Sequence, residues 1–184
     1  MRANLLTGFV VIAFAASAVC EPPDLSKMPK PQKEHEWLQQ LVGNWDDELE
    51  MYFEEGKPPI KATGTDTTKS LGGFWVVTDF QCKVMDMPMN GVITIGFDPK
   101  KKKYVGTGVD SMTSHMWTFE GTVDSTGKIL SWETEGPCPQ KGGKIVKFKE
   151  SIELKSKDEK VITSSFLDDN GKWVPMMVIH GRRK

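Results

Sequence analysis

The sequence has none of the short motifs that mark the common catalytic sites. It contains no G-x-S-x-G nucleophile turn, no G-x-x-x-x-G-K phosphate loop and no G-x-G-x-x-G dinucleotide loop. Its three histidines, at positions 35, 115 and 180, lie far apart, and no C-x-x-C or H-E-x-x-H spacing occurs. A zinc site would therefore have to be assembled by folding alone. These absences lead us to expect a protein that is not an enzyme and holds no cofactor.

The sequence also lacks an excess of either charge and contains few cysteines. The 24 basic and 25 acidic residues leave a formal net charge of -1, and basic residues are not interleaved with aromatic ones on one face, so we expect no nucleic-acid partner. Three cysteines are too few for a disulfide scaffold. An oxidising compartment would permit a bridge between Cys82 and Cys138, and two unpaired, packed thiols are the alternative.

Long hydrophobic runs are absent except near the N-terminus. The stretch "LLTGFVVIAFAA", residues 5–16, is too short for a comfortable transmembrane helix and precedes a small-x-small cleavage pattern ending at Ala18. We therefore predict a signal peptide over residues 1–18 and export to the periplasm or the exterior. Cys20 offers an outer-envelope lipoprotein as the alternative, with a lipid anchor as the membrane contact. The proline-rich residues 19–33 are predicted to be a linker.

From residue 34 onward the hydrophobic pattern describes one domain, residues 34–184. Residues 34–41 have the spacing of one short amphipathic helix. After it the period is two, and Trp45, Asp47 and Leu49 share one face of the first strand. If that face is interior, Asp47 needs a partner or a raised pKa. The later predicted strands are 60–70, 74–85, 91–97, 104–110, 115–123, 129–135, 145–154, 160–167 and 173–182.

About ten short strands joined by tight turns predict an all-β fold. Because each turn is short enough to join only neighbouring strands, we expect an antiparallel up-and-down β-barrel with one short N-terminal helix. A barrel of this strand number can enclose a small hydrophobic ligand, which is the function we expect. A barrel filled by its own side chains, acting as a structural or interaction module of the cell envelope, is the alternative. The sequence gives no oligomeric state.

Five segments in order resemble the bacterial DUF1579 family, a domain of unknown function. They are "HEWLQQLVGNW", "GTDTTKSLGGFWVVTDF", "MDMPMNGVITIGFDPKKKKYVGTGVDSM", "FEGTVD" and "MMVIHGRRK". The resemblance covers about residues 33–184 and implies a lipocalin-like, calycin-type barrel with no established activity. The sequence departs from the family at Pro88-Met89-Asn90-Gly91, where Pro-Phe-Glu-Gly is usual, and at His180, where Tyr is common.

Gly43 and Trp45 resemble the G-x-W signature of lipocalins and fatty-acid-binding proteins. In those folds the Trp closes one barrel end beneath an Arg from the last strand. The resemblance implies this role here for Gly43 and Trp45, with Arg182 or Arg183 as the covering cation. A guanidinium on an indole face contributes about 0.5–2 kcal/mol.

Alternation and position suggest four residues that line a cavity: Phe80, Met89, Trp117 and Met176. Such apolar and thioether side chains suit a small hydrophobic ligand. Two metal-linked alternatives are weaker. His180 on the last strand would be an axial haem ligand if it entered the cavity. The thioethers of Met85, Met87 and Met89 recur at spacing two and suit Cu(I), although Pro88 interrupts a regular strand there.

Overall fold

A computed structural model describes residue 24, residues 27–54 and residues 56–184. The predicted signal peptide and Cys20 lie outside these residues, so export and lipidation stay predictions. The chain divides into two units, residues 1–30 and residues 31–184. In the described part of the first unit, Lys27 pairs with Asp24 at 3.4 Å. The second unit contains the helix and the strands described below. Among the described residues, no helix is long and apolar enough to cross a membrane.

One short helix, α1, opens the domain at Lys33–Gln39. The Gln32 backbone N–H donates to His35 Nδ1 at 2.9 Å, which satisfies an amide group at the helix start. The helix buries His35, Trp37 and Leu38, and Leu41 just after it is also buried. Its apolar face is the one that the spacing of Trp37, Leu38 and Leu41 predicts.

Ten strands follow the helix and form one closed sheet. Each strand pairs antiparallel with its neighbours in sequence, and β1 pairs with β10 to close the barrel. This confirms the predicted up-and-down barrel. The strands are β1 Gly43–Met51, β2 Ile60–Leu71, β3 Trp75–Val84, β4 Met87–Asp98, β5 Lys103–Asp110, β6 Trp117–Val123, β7 Ile129–Cys138, β8 Lys144–Leu154, β9 Glu159–Leu167 and β10 Trp173–Arg183.

The hairpin between β3 and β4 is tighter than the sequence suggested. Met85 and Asp86 have φ angles of 47° and 67°, as in the primed turns that match strand twist. β4 therefore begins at Met87, and Pro88 lies inside the strand opposite Lys83. The expected interruption at Pro88 does not occur, because the proline stands in the second position of the strand, beside the turn.

Two apolar clusters occupy opposite ends of the barrel. The helix-end cluster joins α1 to inward-facing strand residues and consists of Trp37, Leu38, Leu41, Val76, Ile95, Tyr104, Phe119, Leu130, Trp132, Ile152 and Leu154. The far-end cluster contains Cys138, Phe148 and Phe166, with Trp117, Val146, Val174 and Met176 packed against it. A 3-10 turn, Pro139–Lys141, reaches over this end, and Gln140 Nε2 donates to the Tyr52 carbonyl at 2.5 Å. Both ends of the barrel are thus partly covered.

Trp45 closes the helix end, as its resemblance to G-x-W proteins implies. It is fully buried, and its indole N–H donates to the Leu41 carbonyl at 2.9 Å. The Arg183 guanidinium carbon lies 4.1 Å from the ring centroid. Arg183 also occupies the space where a side chain on Gly43 would point, so glycine is required there. Of the two candidate arginines, Arg183 covers Trp45, whereas Arg182 is exposed on the other face of β10.

Candidate functional site

The middle of the barrel interior is not filled. Several side chains that alternation directs inward are only half-buried, although sheet surrounds them on every side. They are Phe80 on β3, Ile93 on β4, Glu150 on β8, Ile162 on β9, and Met177 and Ile179 on β10. Inward side chains in a filled core would have almost no accessible surface. The remaining surface therefore faces a space between the two apolar clusters.

Glu150 is a carboxyl inside this space. It faces inward from the middle of β8, between Trp132 on β7 and Ser164 on β9, which are its register partners. The Ser164 hydroxyl donates to Glu150 Oε1 at 3.1 Å. Burial raises the pKa of Glu150, and the hydrogen bond from Ser164 and the nearby Trp132 N–H offset this only in part. The carboxyl is consequently biased towards its neutral form.

Trp132 presents a polar atom without a partner. The side chain is 6% exposed, and its Nε1 lacks a hydrogen bond of ordinary geometry within the described structure. Phe119 stacks on the indole with ring centroids 4.5 Å apart and planes at 19°, which fixes the ring orientation. A buried N–H without an acceptor is rare in folded proteins and calls for an explanation.

A second polar cluster lies near Trp45. Asp66 and Lys160, each 4% exposed, form an ion pair at 2.5 Å. Thr68 donates to the other Asp66 oxygen at 3.3 Å. The Lys160 ammonium also lies 4.4 Å from the Trp45 ring centroid, so this cation is held by a carboxylate and an indole face together.

Asp47 is the second carboxyl of that cluster. It is 8% exposed, and its Oδ1 has no hydrogen-bond partner among the described residues. Burial chiefly, then the neighbouring Asp66 carboxylate, raises the pKa of Asp47 to about 6, against the favourable effect of Lys160. Burial also raises the pKa of the Cys82 thiol, and the Asp47 carboxylate adds to that rise. Asp47 thus faces inward with a raised pKa, as strand alternation indicated.

The four predicted lining residues fall into two places. Trp117 and Met176 both pack in the far-end cluster. The Trp117 ring meets Phe148 edge-on, and its N–H donates to Asp110 at 3.2 Å. Phe80 and Met89 lie on the neighbouring strands β3 and β4 and are half-buried. The four residues thus face one interior, but they do not form a single patch.

The His180 side chain points away from the interior. Between Pro175 and Met177 the pairing of β10 with β9 shifts, so Met177 and Ile179 face inward and His180 is exposed. This corrects the interpretation of His180 as an axial ligand inside the barrel. Met85 and Met87 are 56% and 49% exposed at the hairpin tip, so the three thioethers do not line one interior face.

The remaining cysteines do not pair. Cys82 and Cys138 are both free thiols. They lie on β3 and β7, with three strands between them, which explains why no bridge forms. Among the described residues, no three side chains of the His, Cys, Asp and Glu types come together as a metal site.

Two concavities lie on the outer wall. The first, about 630 Å³, crosses β10, β1, β2, β3 and β4 over Gly64. Outward-facing residues such as Asp46, Lys83, His180 and Arg182 line it, together with the inward-facing residues Asp47, Cys82 and Met89. The second, about 670 Å³, crosses β3 to β7 beside Trp75 and Glu120. Both are open grooves, and neither contains Glu150 or Trp132.

Sequence reasoning missed Glu150, Ser164 and Lys160. A signal was present, because Glu150 alternates with Phe148 and Ile152, and Lys160 alternates with Ile162. A polar residue in register with apolar neighbours on a half-buried strand is directed inward. Their partners could not be found this way, since Trp132 and Asp66 lie on other strands.

Solved structures of low identity share this fold. The protein in "Crystal Structure of Rv2717c from M. tuberculosis" matches with a TM-score of 0.60 and 12% identity over 84% of this chain and 99% of that chain. The S-type phycobiliprotein lyase CPES from Guillardia theta matches with a TM-score of 0.57 and 11% identity, over 83% and 93% of the two chains. At these identities the likeness shows the fold alone. Comparison with curated proteins finds no match.

The sequence itself matches one family model over most of its length. The match covers residues 30–183, which include α1 and all ten strands. The chain therefore belongs to the DUF1579 family, described as a protein of unknown function.

Proposed function

We propose that this protein binds a small, largely hydrophobic molecule inside its barrel. The observation that carries the proposal is the half-buried state of the inward-facing residues between the two apolar clusters. Their side chains are mostly aliphatic, aromatic or thioether groups, and the few polar ones are widely spaced, as is usual for small-molecule sites. A barrel acting only as an interaction module would gain stability by filling this space.

The proposal is for binding rather than catalysis. The interior polar groups of the described chain include Glu150 with Ser164, and Asp47 with Asp66 and Lys160. Ser164 donates to Glu150, but burial raises the pKa of that carboxyl, which makes it a poor acceptor for the hydroxyl proton. Thr68 donates to Asp66, but Lys160 is already paired with that carboxylate, so neither hydroxyl has a free base to activate it. If residues 1–18 direct export, as the sequence predicts, the ligand would be met outside the cytoplasm.

The test uses a neutral hydrophobic dye, N-phenyl-1-naphthylamine, whose fluorescence rises in apolar surroundings. Dye should bind the full mature domain with micromolar or tighter affinity, and unlabelled hydrophobic compounds should displace it. Ile162→Phe fills the interior space and should weaken dye binding by about tenfold. Val161→Phe, one residue away on the outward face of β9, is the matched control and should leave binding unchanged.

Absence of dye binding by the folded wild-type protein would reject the proposal. So would equal effects of the two variants, because they would place the dye on the outer wall. Native mass spectrometry of the purified protein, followed by organic extraction, then identifies any molecule that copurifies.

A further inference from the structure

The inner polar group formed by Glu150, Trp132 and Ser164 indicates the chemistry of the ligand's polar end. Ser164 uses its hydroxyl hydrogen on Glu150 Oε1, so one carboxyl oxygen is already occupied. The indole N–H of Trp132 lies beside the same carboxyl but makes no hydrogen bond of ordinary geometry. The group therefore has a buried donor that the described protein atoms leave without a well-formed hydrogen bond.

The position of this donor is set by packing between neighbouring strands. Trp132 is opposite Glu150 across β7 and β8, and Phe119 on β6 stacks on its ring. Ser164 is opposite Glu150 across β8 and β9 and opposite Met177 across β9 and β10. Because its neighbours hold the indole beside Glu150, Trp132 cannot easily turn to form a well-aligned hydrogen bond with the carboxyl, and the N–H stays available to a ligand.

The surroundings of the group are apolar. The next inward residues on β8 and β9 are Ile152 and Ile162, which pack in the helix-end cluster, and Phe148 and Phe166, which pack in the far-end cluster. The Asp47, Asp66 and Lys160 cluster belongs to the Trp45 end, and none of its members contributes to the pKa of Glu150. A ligand bound here would therefore be hydrophobic for most of its length and polar at one point.

We propose that Trp132 and Glu150 together bind an uncharged hydrogen-bond acceptor on a hydrophobic ligand, namely the carbonyl oxygen of a ketone, ester or amide. The inference rests on the proposed binding function and specifies the substrate class. Trp132 donates its indole N–H to the carbonyl, and the neutral Glu150 carboxyl donates its O–H to the same oxygen. Among the residues that the structure describes, no cationic side chain contacts Glu150 or Trp132, so an anionic end group would not be neutralised there. An ammonium group would leave the Trp132 N–H unpaired.

The experiment is displacement of N-phenyl-1-naphthylamine by four compounds of equal chain length: 2-undecanone, undecylamine, undecanoate and undecane. The ketone should displace the dye at a concentration about tenfold below that of the alkane, and the two charged compounds should be weaker than the ketone. Trp132→Phe should remove most of the ketone's advantage while leaving the alkane unchanged. Glu150→Gln keeps a donor and should retain ketone binding, whereas Glu150→Met keeps the size without the donor and should lose it.

The outcomes separate this inference from the proposed binding function. If undecylamine binds best and Glu150→Gln abolishes its binding, the site takes a cation and the inference is wrong. If the ketone and the alkane displace the dye from the wild type at the same concentration, the polar group does not recognise the carbonyl. That result would overturn this inference and leave the proposed binding function intact. If the dye does not bind at all, both fail. Thermal melts of each variant establish that lost binding does not come from unfolding, and Trp132→Phe and Glu150→Gln are conservative enough to fold.

Discussion

At the scale of single residues, Asp47 has the most unusual environment. Its carboxyl is buried beside Asp66, and one of its oxygens has no hydrogen-bond partner in the described structure. Asp66 is in a different position, since Lys160 pairs with one of its oxygens and Thr68 donates to the other. Lys160 thus pairs with Asp66, and the charged form of Asp47 is buried without an ion-pair partner of its own, which is unfavourable.

This environment predicts how stability depends on pH. The pKa of Asp47 is about 6 in the folded protein against an ordinary value of 3.8, so the folded state holds the proton more tightly. Below about pH 4 Asp47 is protonated whether the chain is folded or not, and it costs nothing. As the pH rises through about 6, the folded protein must hold a buried carboxylate and the free energy of unfolding falls.

Asp47→Asn should therefore be more stable than the wild type by about 1–2 kcal/mol at pH 8, after allowance for solvent screening, and equally stable at pH 4. Urea denaturation of both proteins across this range measures the difference. Asp79→Asn, which changes an exposed carboxyl on β3, is the control and should differ from the wild type by less than about 0.5 kcal/mol at each pH. A constant difference between Asp47→Asn and the wild type would contradict the predicted titration.

At the scale of elements, aromatic rings lie across glycines of neighbouring strands. A side-chain carbon added at Gly91, Gly96, Gly106 or Gly136 would meet the ring of Phe80, Trp75, Phe119 or Trp117 respectively. Glycine normally weakens a strand, but here it lets a ring lie flat against the adjacent backbone, which recovers packing on that face of the sheet. Phe119 reaches Trp132 in this way, so Gly106 also supports the position of the inner polar group.

Two glycines on β5 provide a matched test of this packing. A methyl group at Gly106 would collide with the Phe119 ring and lie 2.5 Å from the Thr94 carbonyl oxygen, whereas at Gly108 the nearest atom is 3.6 Å away. Both residues face inward. Gly106→Ala should lower the free energy of unfolding by about 1–3 kcal/mol, and Gly108→Ala should change it by less than about 0.5 kcal/mol. Thermal or urea unfolding measures both, and similar losses would refute the packing role of Gly106.

At the scale of the whole molecule, the last strand returns to the start of the domain and closes the sheet. Trp45 on β1 pairs with Arg183 on β10. Besides covering the indole, Arg183 donates to the carbonyls of Val42, of Gln40 at 2.8 Å and of Lys157 at 2.9 Å. One side chain thus joins the end of α1, the first strand and the β8–β9 turn, and a closed sheet has no free edge to pair with another chain.

Arg183→Ala should lower the free energy of unfolding by about 2–3 kcal/mol, because it removes a cation–π contact and leaves three carbonyls without their donor. Arg182→Ala is the matched control one residue away. Arg182 is exposed on the outward face, and its loss should cost less than about 0.5 kcal/mol. Equal effects in urea denaturation would mean that Arg183 does not hold the closure together.

Much of this architecture could be predicted from the sequence because it depends on local patterns. Alternation with period two predicted the ten strands to within a few residues, and the short turns required an antiparallel meander. The largest boundary errors came at prolines. β4 includes Pro88 and β7 runs on through Pro137, since a proline costs little where its missing N–H is not needed for the ladder.

The sequence alone determined which residues share a face of each strand, because the pleat of a strand is a local property. Only the tertiary structure decided which face of β10 is interior, since the irregularity between Pro175 and Met177 reverses the alternation and turns His180 outward. It also decided which arginine covers Trp45 and which side chains meet Glu150 and Asp47. Those contacts join strands that are distant in sequence, and their register is fixed by packing and closure of the barrel rather than by any local pattern.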